Sequence, residues 1–270
     1  MRTSAPVYAA VILLLPIVSC DRSDNETGPG DGPADRPIGL YAGRGADEDC
    51  VEASRSMFKW MGHAVELLGP QSFQKQDLGK FKLLCFPGGD MYEYAQDISS
   101  TGKENIRTYV ENGGAYIGIC GGAYFASERV VWLENQLQME PLRLYEGTAR
   151  GPLNEVILYP AYGMCKIVFV ESEHPITSEQ PDSAWVLYYW GPALVPDDDR
   201  TVTILGRYDQ GDAPAVLSFA YGDGRVFLIG AHPEFEEDDD RDGVTFGDEL
   251  DDQGSDWDLM NRAVLWCLGE

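Results

Sequence analysis

The chain has 270 residues, of which 20 are basic and 45 acidic, so it carries a formal net charge of −25 at neutral pH. This balance excludes nucleic acid and anionic lipid headgroups as partners, because both repel a strongly acidic surface. An acidic surface favours solubility and fits a saline habitat, but it does not bear on the fold.

Residues 1–19 have the pattern of a secretory signal peptide. Arg2 precedes an apolar stretch over residues 7–18, which is shorter than the about 20 residues that a transmembrane helix needs. The stretch ends in Ile17-Val18-Ser19-Cys20, which resembles the lipobox of bacterial lipoproteins. The resemblance implies a lipid-modified Cys20 that anchors the protein in the bacterial cell envelope, outside the cytoplasm, with no other membrane contact. An ordinary cleaved signal peptide with a chance cysteine is the alternative.

Residues 20–37 form an acidic segment rich in Pro and Gly, with no large apolar side chain after Cys20. Such a segment cannot bury enough surface to offset its ordering entropy, so we expect a flexible tether. The folded domain is then residues 38–270, a length that suits one domain.

Short apolar strands alternate with helical patterns from residue 38 onwards. This alternation predicts an α/β fold with a parallel sheet that is covered on both faces. The predicted strands are residues 38–42, 64–68, 81–86, 115–119 and 225–230, and the predicted helices are residues 49–62 and 105–112.

Two motifs follow predicted strands and carry the chemistry. Cys120 stands within Gly118-Ile119-Cys120-Gly121-Gly122, and His232-Pro233-Glu234 follows the strand over residues 225–230. In this interpretation Cys120 is the nucleophile, His232 is its base, and Glu234 orients the imidazole. A tight turn with a buried thiol is the alternative for either motif alone, but their joint occurrence at strand ends favours an active site.

Glycines near these motifs are candidates for binding a substrate carbonyl. Gly88 and Gly89 follow the strand over residues 81–86, and Gly121 follows the cysteine. Backbone amides of Gly89 and Gly121 are predicted to form an oxyanion site, because glycine lets a substrate approach the main chain closely.

Five cysteines remain after Cys20, and an odd number in an exported domain suggests one thiol kept free for a purpose. Cys120 is the natural candidate. The pairing of the others stays open: Cys50, Cys85, Cys165 and Cys267. Cys50 and Cys85 also fit buried small apolar residues.

The motifs resemble those of class I glutamine amidotransferases, which have a Cys-His-Glu triad. The string GICGGAYFAS, residues 118–127, resembles more particularly the domain at the N-terminus of eukaryotic biotin-protein ligases, which also occurs alone in bacteria. The resemblance implies a three-layer α/β/α, flavodoxin-like fold with a mostly parallel central sheet. It implies no biotin ligation, because that chemistry belongs to a separate ligase domain.

One residue departs from the glutamine-hydrolysing pattern. Tyr124 stands four residues after the cysteine, where a Gln is common in amidotransferases, and is a candidate substrate-binding residue. We therefore expect hydrolysis of another amide or ester. The expected partner is a small-molecule or peptide amide, and no cofactor is expected. A catalytically inactive binding or scaffold lipoprotein remains the alternative.

Two further features have two interpretations each. The spacing of Asp238, Asp240, Asp242 and Glu249 fits a calcium loop, but a solvated acidic loop is favoured because Asp-rich sequence matches such patterns by chance. The aromatic run Tyr188-Tyr189-Trp190 suits either the lining of a cleft or a strand packed in the core.

Overall fold

The structure, a computed structural model, describes residues 36–75, 77–236, 240–250 and 254–270. Strands and helices alternate through its first half, and most strands of the second half follow one another directly. The strands are β1 (Ile38–Tyr41), β2 (Val65–Leu68), β3 (Leu83–Phe86), β4 (Ala115–Ile119), β5 (Ser127–Trp132), β6 (Asn135–Gln136), β7 (Tyr145–Gly151), β8 (Gly163–Phe169), β9 (Ser183–Tyr188), β10 (Ala193–Pro196), β11 (Thr203–Tyr208), β12 (Pro214–Tyr221) and β13 (Gly224–Ile229). The helices are α1 (Glu48–Trp60), α2 (Ser72–Lys75), α3 (Met91–Asp97), α4 (Ser100–Glu111), α5 (Gly121–Ala126) and α6 (Trp257–Leu268).

The larger sheet has nine strands in the order β2-β1-β3-β4-β13-β12-β11-β8-β9. The first five run parallel to one another, and the four beyond β13 pair antiparallel. The predicted α/β fold class with its parallel central sheet is confirmed. The antiparallel extension had no counterpart among the predicted strands.

Alternation along the parallel strands creates two cores. In β4, Ile117 and Ile119 join a cluster that includes side chains of α1 and α6, whereas Tyr116 joins a cluster with α3, α4 and α5. Successive side chains of a strand point to opposite faces, so the sheet is covered on both sides. A second, four-stranded sheet in the order β10-β7-β5-β6 contributes to the core on the Tyr116 side.

Helices α1, α3 and α4 begin where short polar side chains cap them. Asp47 caps α1, its carboxylate accepting the N–H groups of Asp49 and Cys50 at 3.0 and 3.2 Å, and Ser99 caps α4 in the same manner. None of the helices in the described ranges combines the length and the apolar character needed to span a bilayer.

Candidate active site

Cys120 lies on the sharp turn between β4 and α5. Its backbone has φ 45° and ψ −100°, a conformation that side-chain-bearing residues rarely adopt, and its N–H donates to the carbonyl of Ile229 at 2.9 Å. Close packing around the turn needs glycine, because a β-carbon at Gly122 would overlap the carbonyl oxygen of Phe86. The turn therefore displays the thiol at the carboxyl edge of the parallel strands.

His232 reaches the same edge from the end of β13. Its backbone N–H donates to the carbonyl of Leu187 at 2.8 Å, which ties it to β9. In the ring, Nδ1 lies 2.9 Å from Oε1 of Glu234, and Nε2 lies 3.2 Å from the carbonyl oxygen of Tyr189. The side chains of His232 and Glu234 are completely buried.

This geometry favours a doubly protonated imidazole. Both ring nitrogens face oxygen acceptors, and each can donate only if it carries a proton. Burial opposes protonation, but the sulfur of Cys120 and the carboxylate of Glu234 more than offset it and hold the pKa of His232 well above its usual range. The Cys120 sulfur also lies 3.6 Å from the Tyr189 carbonyl oxygen, so thiol and imidazole meet at one acceptor. Thiol and imidazole thus lie next to each other, as the pairing of a nucleophile with its base requires.

A contact with α6 holds the backbone of Glu234 in place. Its backbone carbonyl accepts the indole N–H of Trp257 at 3.0 Å. Its Oε1 bonds His232, whereas Oε2 is buried and has no hydrogen-bond partner among the described residues. A fixed carboxylate beside Nδ1 keeps the imidazole in one orientation.

Gly89 and Gly121 lie against each other beside the thiol. A β-carbon at Gly121 would overlap the carbonyl oxygen of Gly89, so the close approach requires glycine. The amide of Gly122 donates to Pro87 at 3.0 Å, but no backbone carbonyl of the described ranges accepts the amides of Gly89 and Gly121. That these two N–H groups bind a developing oxyanion stays a prediction.

Gly88 has a different place. Its carbonyl accepts the backbone N–H of Asp47 at 3.2 Å and the hydroxyl of Tyr94 at 2.9 Å, so it braces the loop after β3. A β-carbon at Gly88 would lie 2.5 Å from Cε1 of His232 and 2.6 Å from the sulfur of Cys50. The missing side chain of Gly88 thus leaves room for the imidazole and for Cys50, and its role in substrate binding stays a prediction.

A cavity of about 990 Å³ opens in front of Cys120 and His232. One side is acidic and another is aromatic, and no Lys or Arg of the described chain lines it. The acidic lining residues are Asp47, Glu48, Asp90 and Glu93, and the aromatic ones are Tyr92, Tyr124, Trp132, Tyr189 and Trp190. Its size suits a small-molecule or short peptide group.

Tyr124 belongs to the aromatic side of this cavity. Its hydroxyl donates to the carbonyl of Trp190 at 3.0 Å, and its ring packs against Trp132 with centroids 5.8 Å apart. Trp190 has φ 61°, and its indole N–H donates to the carbonyl of Pro160 at 3.1 Å. Of the aromatic run, Tyr188 is buried in the core while the next two residues line the cavity, so both interpretations of the run apply in part.

Cys50 is a site residue that the sequence interpretation missed. Its sulfur lies 3.7 Å from Nδ1 of His232, and burial raises the pKa of this thiol well above its usual range. The thiol, the imidazole and the carboxylate of Glu234 offer three ligand atoms within 4.8 Å of one another. A sequence signal existed: Cys50 follows β1, whose end adjoins that of β3.

The remaining candidates lie elsewhere. Cys20 and Asp238 are outside the described residues, as is the side chain of Asp240. Asp242 accepts backbone N–H groups of its own turn, and Glu249 accepts the hydroxyl of Tyr162 at 2.5 Å. Among the described residues, no disulfide joins Cys50, Cys85, Cys165 and Cys267 to one another.

Comparison with known families identifies the family of this chain. The model of the family described as biotin-protein ligase, N terminal, matches residues 37–253. The chain belongs to this family. Its members include domains of longer proteins, so membership alone assigns no reaction to this chain.

Two proteins are similar in sequence to this member of the biotin-protein ligase N-terminal family. The biotin–protein ligase of Schizosaccharomyces pombe is 25% identical over 209 residues, which are 73% of this chain and 33% of the yeast protein. An uncharacterized protein of Chlamydia muridarum is 29% identical over 161 residues, which are 57% of this chain and 61% of that protein. The chain thus spans about a third of the yeast ligase and less than two thirds of the chlamydial protein.

Solved structures share the fold of this chain at low sequence identity. PurLQS from Thermotoga maritima superposes with a TM-score of 0.57 at 15% identity, covering 86% of this chain and 99% of that one. A ThuA-like protein from Bacteroides uniformis also gives 0.57, at 16% identity, covering 86% and 91%. These likenesses establish the class I amidotransferase-like fold.

Proposed function

We propose that this protein is a cysteine-dependent hydrolase that cleaves an amide or ester in a small molecule or peptide. The observation that carries the proposal is the position of the His232 imidazole. It lies between the Glu234 carboxylate and the Tyr189 carbonyl that the Cys120 thiol also contacts. This is the geometry in which a thiolate attacks and an imidazolium protonates the leaving group.

The reaction follows from these contacts. The Cys120 thiolate attacks the substrate carbonyl carbon, and the amides of Gly89 and Gly121 bind the oxyanion. His232 gives the leaving amine or alcohol its proton, and the C–N or C–O bond breaks to leave a thioester. The neutral imidazole then takes a proton from water, whose oxygen displaces the sulfur. The products are a carboxylic acid and the amine or alcohol, and the thiolate–imidazolium pair is restored.

Two considerations limit the substrate. Tyr124 fills the position four residues after the nucleophile where a Gln is common in amidotransferases, and its hydroxyl bonds the Trp190 carbonyl, which argues against glutamine as the ammonia source. Biotin ligation is not part of the proposal, because the match to the yeast ligase covers only a third of that protein.

We further propose that the protein is an exported lipoprotein of the bacterial cell envelope, anchored through Cys20. The support is the sequence of residues 1–20 alone. Metabolic labelling with a palmitate analogue in a bacterial host tests it, with Cys20→Ser as the matched control. Label on the parent and none on the variant supports the anchor, whereas an unlabelled parent contradicts it.

The test of the hydrolase uses thiol reactivity resolved by residue. Iodoacetamide at neutral pH, with mass analysis of each cysteine, is expected to modify Cys120 at least about ten-fold faster than Cys50, whose raised pKa keeps it protonated. A library of activated esters and amides then identifies substrates, and the acyl group is expected as a mass increase on Cys120. Full turnover by Cys120→Ser would refute the nucleophile.

A second function is a binding lipoprotein that has the pocket but no turnover. It is favoured by the Tyr189 carbonyl, which lies within bonding distance of both reacting groups and competes with substrate. Uniformly slow labelling of all five described cysteines, together with ligand binding that survives Cys120→Ser, would support this function in place of hydrolysis.

A further inference from the structure

The contacts of Nδ1 of His232, the ring nitrogen that faces Glu234, differ from those of a simple Cys-His-Glu triad. Nδ1 has two neighbours, Oε1 of Glu234 at 2.9 Å and the sulfur of Cys50 at 3.7 Å. All three side chains are buried, and their ligand atoms lie within 4.8 Å of one another. A thiol, an imidazole and a carboxylate are the donors that zinc sites in proteins use.

We infer that Cys50, His232 and Glu234 form a binding site for a zinc-class divalent metal ion. Tetrahedral Zn²⁺ with bonds of about 2.0 to 2.3 Å separates its ligand atoms by roughly 3.4 Å. The present nitrogen–oxygen and sulfur–nitrogen distances of 2.9 and 3.7 Å bracket that value. The third pair, the Cys50 sulfur and a Glu234 oxygen, lies within 4.8 Å. Side-chain rotation that brings this separation toward the same value places the three atoms around an ion.

A second, independent observation points to a cation. Oε2 of Glu234 has no hydrogen-bond partner among the described residues, although the side chain is fully buried. An unsatisfied buried carboxylate oxygen is costly and calls for a proton donor or a positive charge. A metal ion bound beside Oε1 supplies that charge.

The backbone is shaped to keep two of the ligands together. A β-carbon at Gly88 would lie 2.5 Å from Cε1 of His232 and 2.6 Å from the sulfur of Cys50, so any other residue would force them apart. Cys50 and His232 also line the cavity, which gives an ion a route from solvent and a water molecule a fourth coordination position.

Binding changes the protonation of the ligands. The Cys50 thiol and Nδ1 of His232 each release a proton to solvent, Glu234 binds as the carboxylate, and no electron is transferred. The Glu234–imidazole hydrogen bond is replaced by metal–ligand bonds. The metal site does not depend on the proposed hydrolysis, but its consequence does: with Nδ1 bound to metal, His232 can no longer form an imidazolium, and the triad is switched off.

Cobalt titration of the full chain tests the site directly, because Co²⁺ bound by thiolate gives a charge-transfer absorption band. The parent and Cys120→Ser are expected to bind Co²⁺ with similar affinity and to lose it to Zn²⁺, whereas Cys50→Ser weakens binding at least about 100-fold. Melting temperatures verify that each variant is folded. If Cys50→Ser does not fold, Gly88→Ala serves instead, with the same expected loss.

Two outcomes overturn the inference. One is undiminished Co²⁺ binding by Cys50→Ser, and the other is loss of binding in Cys120→Ser, which would place the ion at Nε2 of His232.

Iodoacetamide labelling with and without Zn²⁺ tests separately whether metal binding switches off the triad. Zn²⁺ is expected to slow alkylation of Cys120 in the parent and not in Cys50→Ser. Cobalt binding with no triad reactivity at all would retain the metal site and refute the hydrolase.

Discussion

The imidazole Nδ1 of His232 lies 2.9 Å from Oε1 of Glu234, and both side chains are excluded from solvent. In such an environment a charge is weakly screened, so the carboxylate acts strongly on the proton of the ring. The reactivity of Cys120 should therefore depend on the charge of Glu234 more than on the presence of a hydrogen bond at that place.

Glu234→Gln separates these two contributions, because the amide oxygen can still accept the Nδ1 proton. Loss of the negative charge lowers the pKa of His232 and weakens the thiolate–imidazolium pair. We expect turnover of any substrate to fall by about 10²- to 10⁴-fold. Alkylation of Cys120 should slow at least about ten-fold. Glu66→Gln is the control, because Glu66 lies on the edge strand β2 and pairs with Lys80, and equal rates in the two variants would contradict the assigned role.

The raised pKa of His232 predicts a pH dependence of stability. A group whose pKa is higher in the folded than in the unfolded chain stabilises the fold fully below its unfolded value, about 6.5, and this contribution is lost as the pH rises through the folded value. The free-energy difference between the parent and His232→Gln should be constant between about pH 5 and 6.5 and shrink at alkaline pH. Denaturant unfolding across this range measures it, and a difference that grows with pH would contradict the prediction.

The close packing of the glycines around Cys120 predicts that a larger side chain there destabilises the fold. In Gly122→Ala the new β-carbon overlaps the carbonyl oxygen of Phe86, so α5 must move away from β3. We expect a loss of about 1–3 kcal/mol in the free energy of unfolding together with slower alkylation of Cys120. Gly69→Ala is the matched control, because a β-carbon there has no atom within 4 Å and its stability should be unchanged. Equal stabilities would show that the turn is not tightly packed.

The sequence predicted the parallel strands well because each is a short apolar run bounded by turns. The run over residues 115–119 coincides with β4 (Ala115–Ile119), and the run over residues 225–230 contains most of β13 (Gly224–Ile229). Adjacent parallel strands end at one edge, so the proximity of Cys120 and His232 was also predictable. For Cys50 the order of the strands predicts only the edge of the sheet, because its contact with the imidazole depends on the loop after β3 and on the missing side chain of Gly88.

The antiparallel strands were harder to predict for a physical reason. β8 (Gly163–Phe169) alternates buried and partly exposed side chains, and β11 (Thr203–Tyr208) contains a register shift at Gly206. Neither has the continuous apolar run that identifies a fully buried strand. The carbonyl of Tyr189, which meets the thiol and the imidazole, lies just after this part of the sheet. Backbone atoms leave no signature in a sequence, and this contact was visible only in the folded chain.

We expect the hydroxyl of Tyr124 to hold the aromatic side of the cavity in place. Its hydroxyl bonds the carbonyl of Trp190, a residue whose φ of 61° is unfavourable for a side-chain-bearing residue and therefore needs support. Tyr124→Phe retains the ring but removes this bond, and we expect a loss of about 1 kcal/mol in the free energy of unfolding. Because the preceding residue, Tyr189, provides the carbonyl at the thiol, the rate of Cys120 alkylation should change as well.

The control for this substitution is Tyr92→Phe, since Tyr92 also lines the cavity but is 40% exposed. Thermal unfolding and iodoacetamide kinetics on the three proteins give the comparison. A Tyr124→Phe protein with the parent's melting temperature and the parent's alkylation rate would show that the indole contacts of Trp190 with the carbonyls of Pro160 and Ala161 hold this residue without the Tyr124 bond. A change in alkylation without a change in stability would instead assign the Tyr124 hydroxyl to positioning of the Tyr189 carbonyl, because the reacting groups would respond while the fold would not.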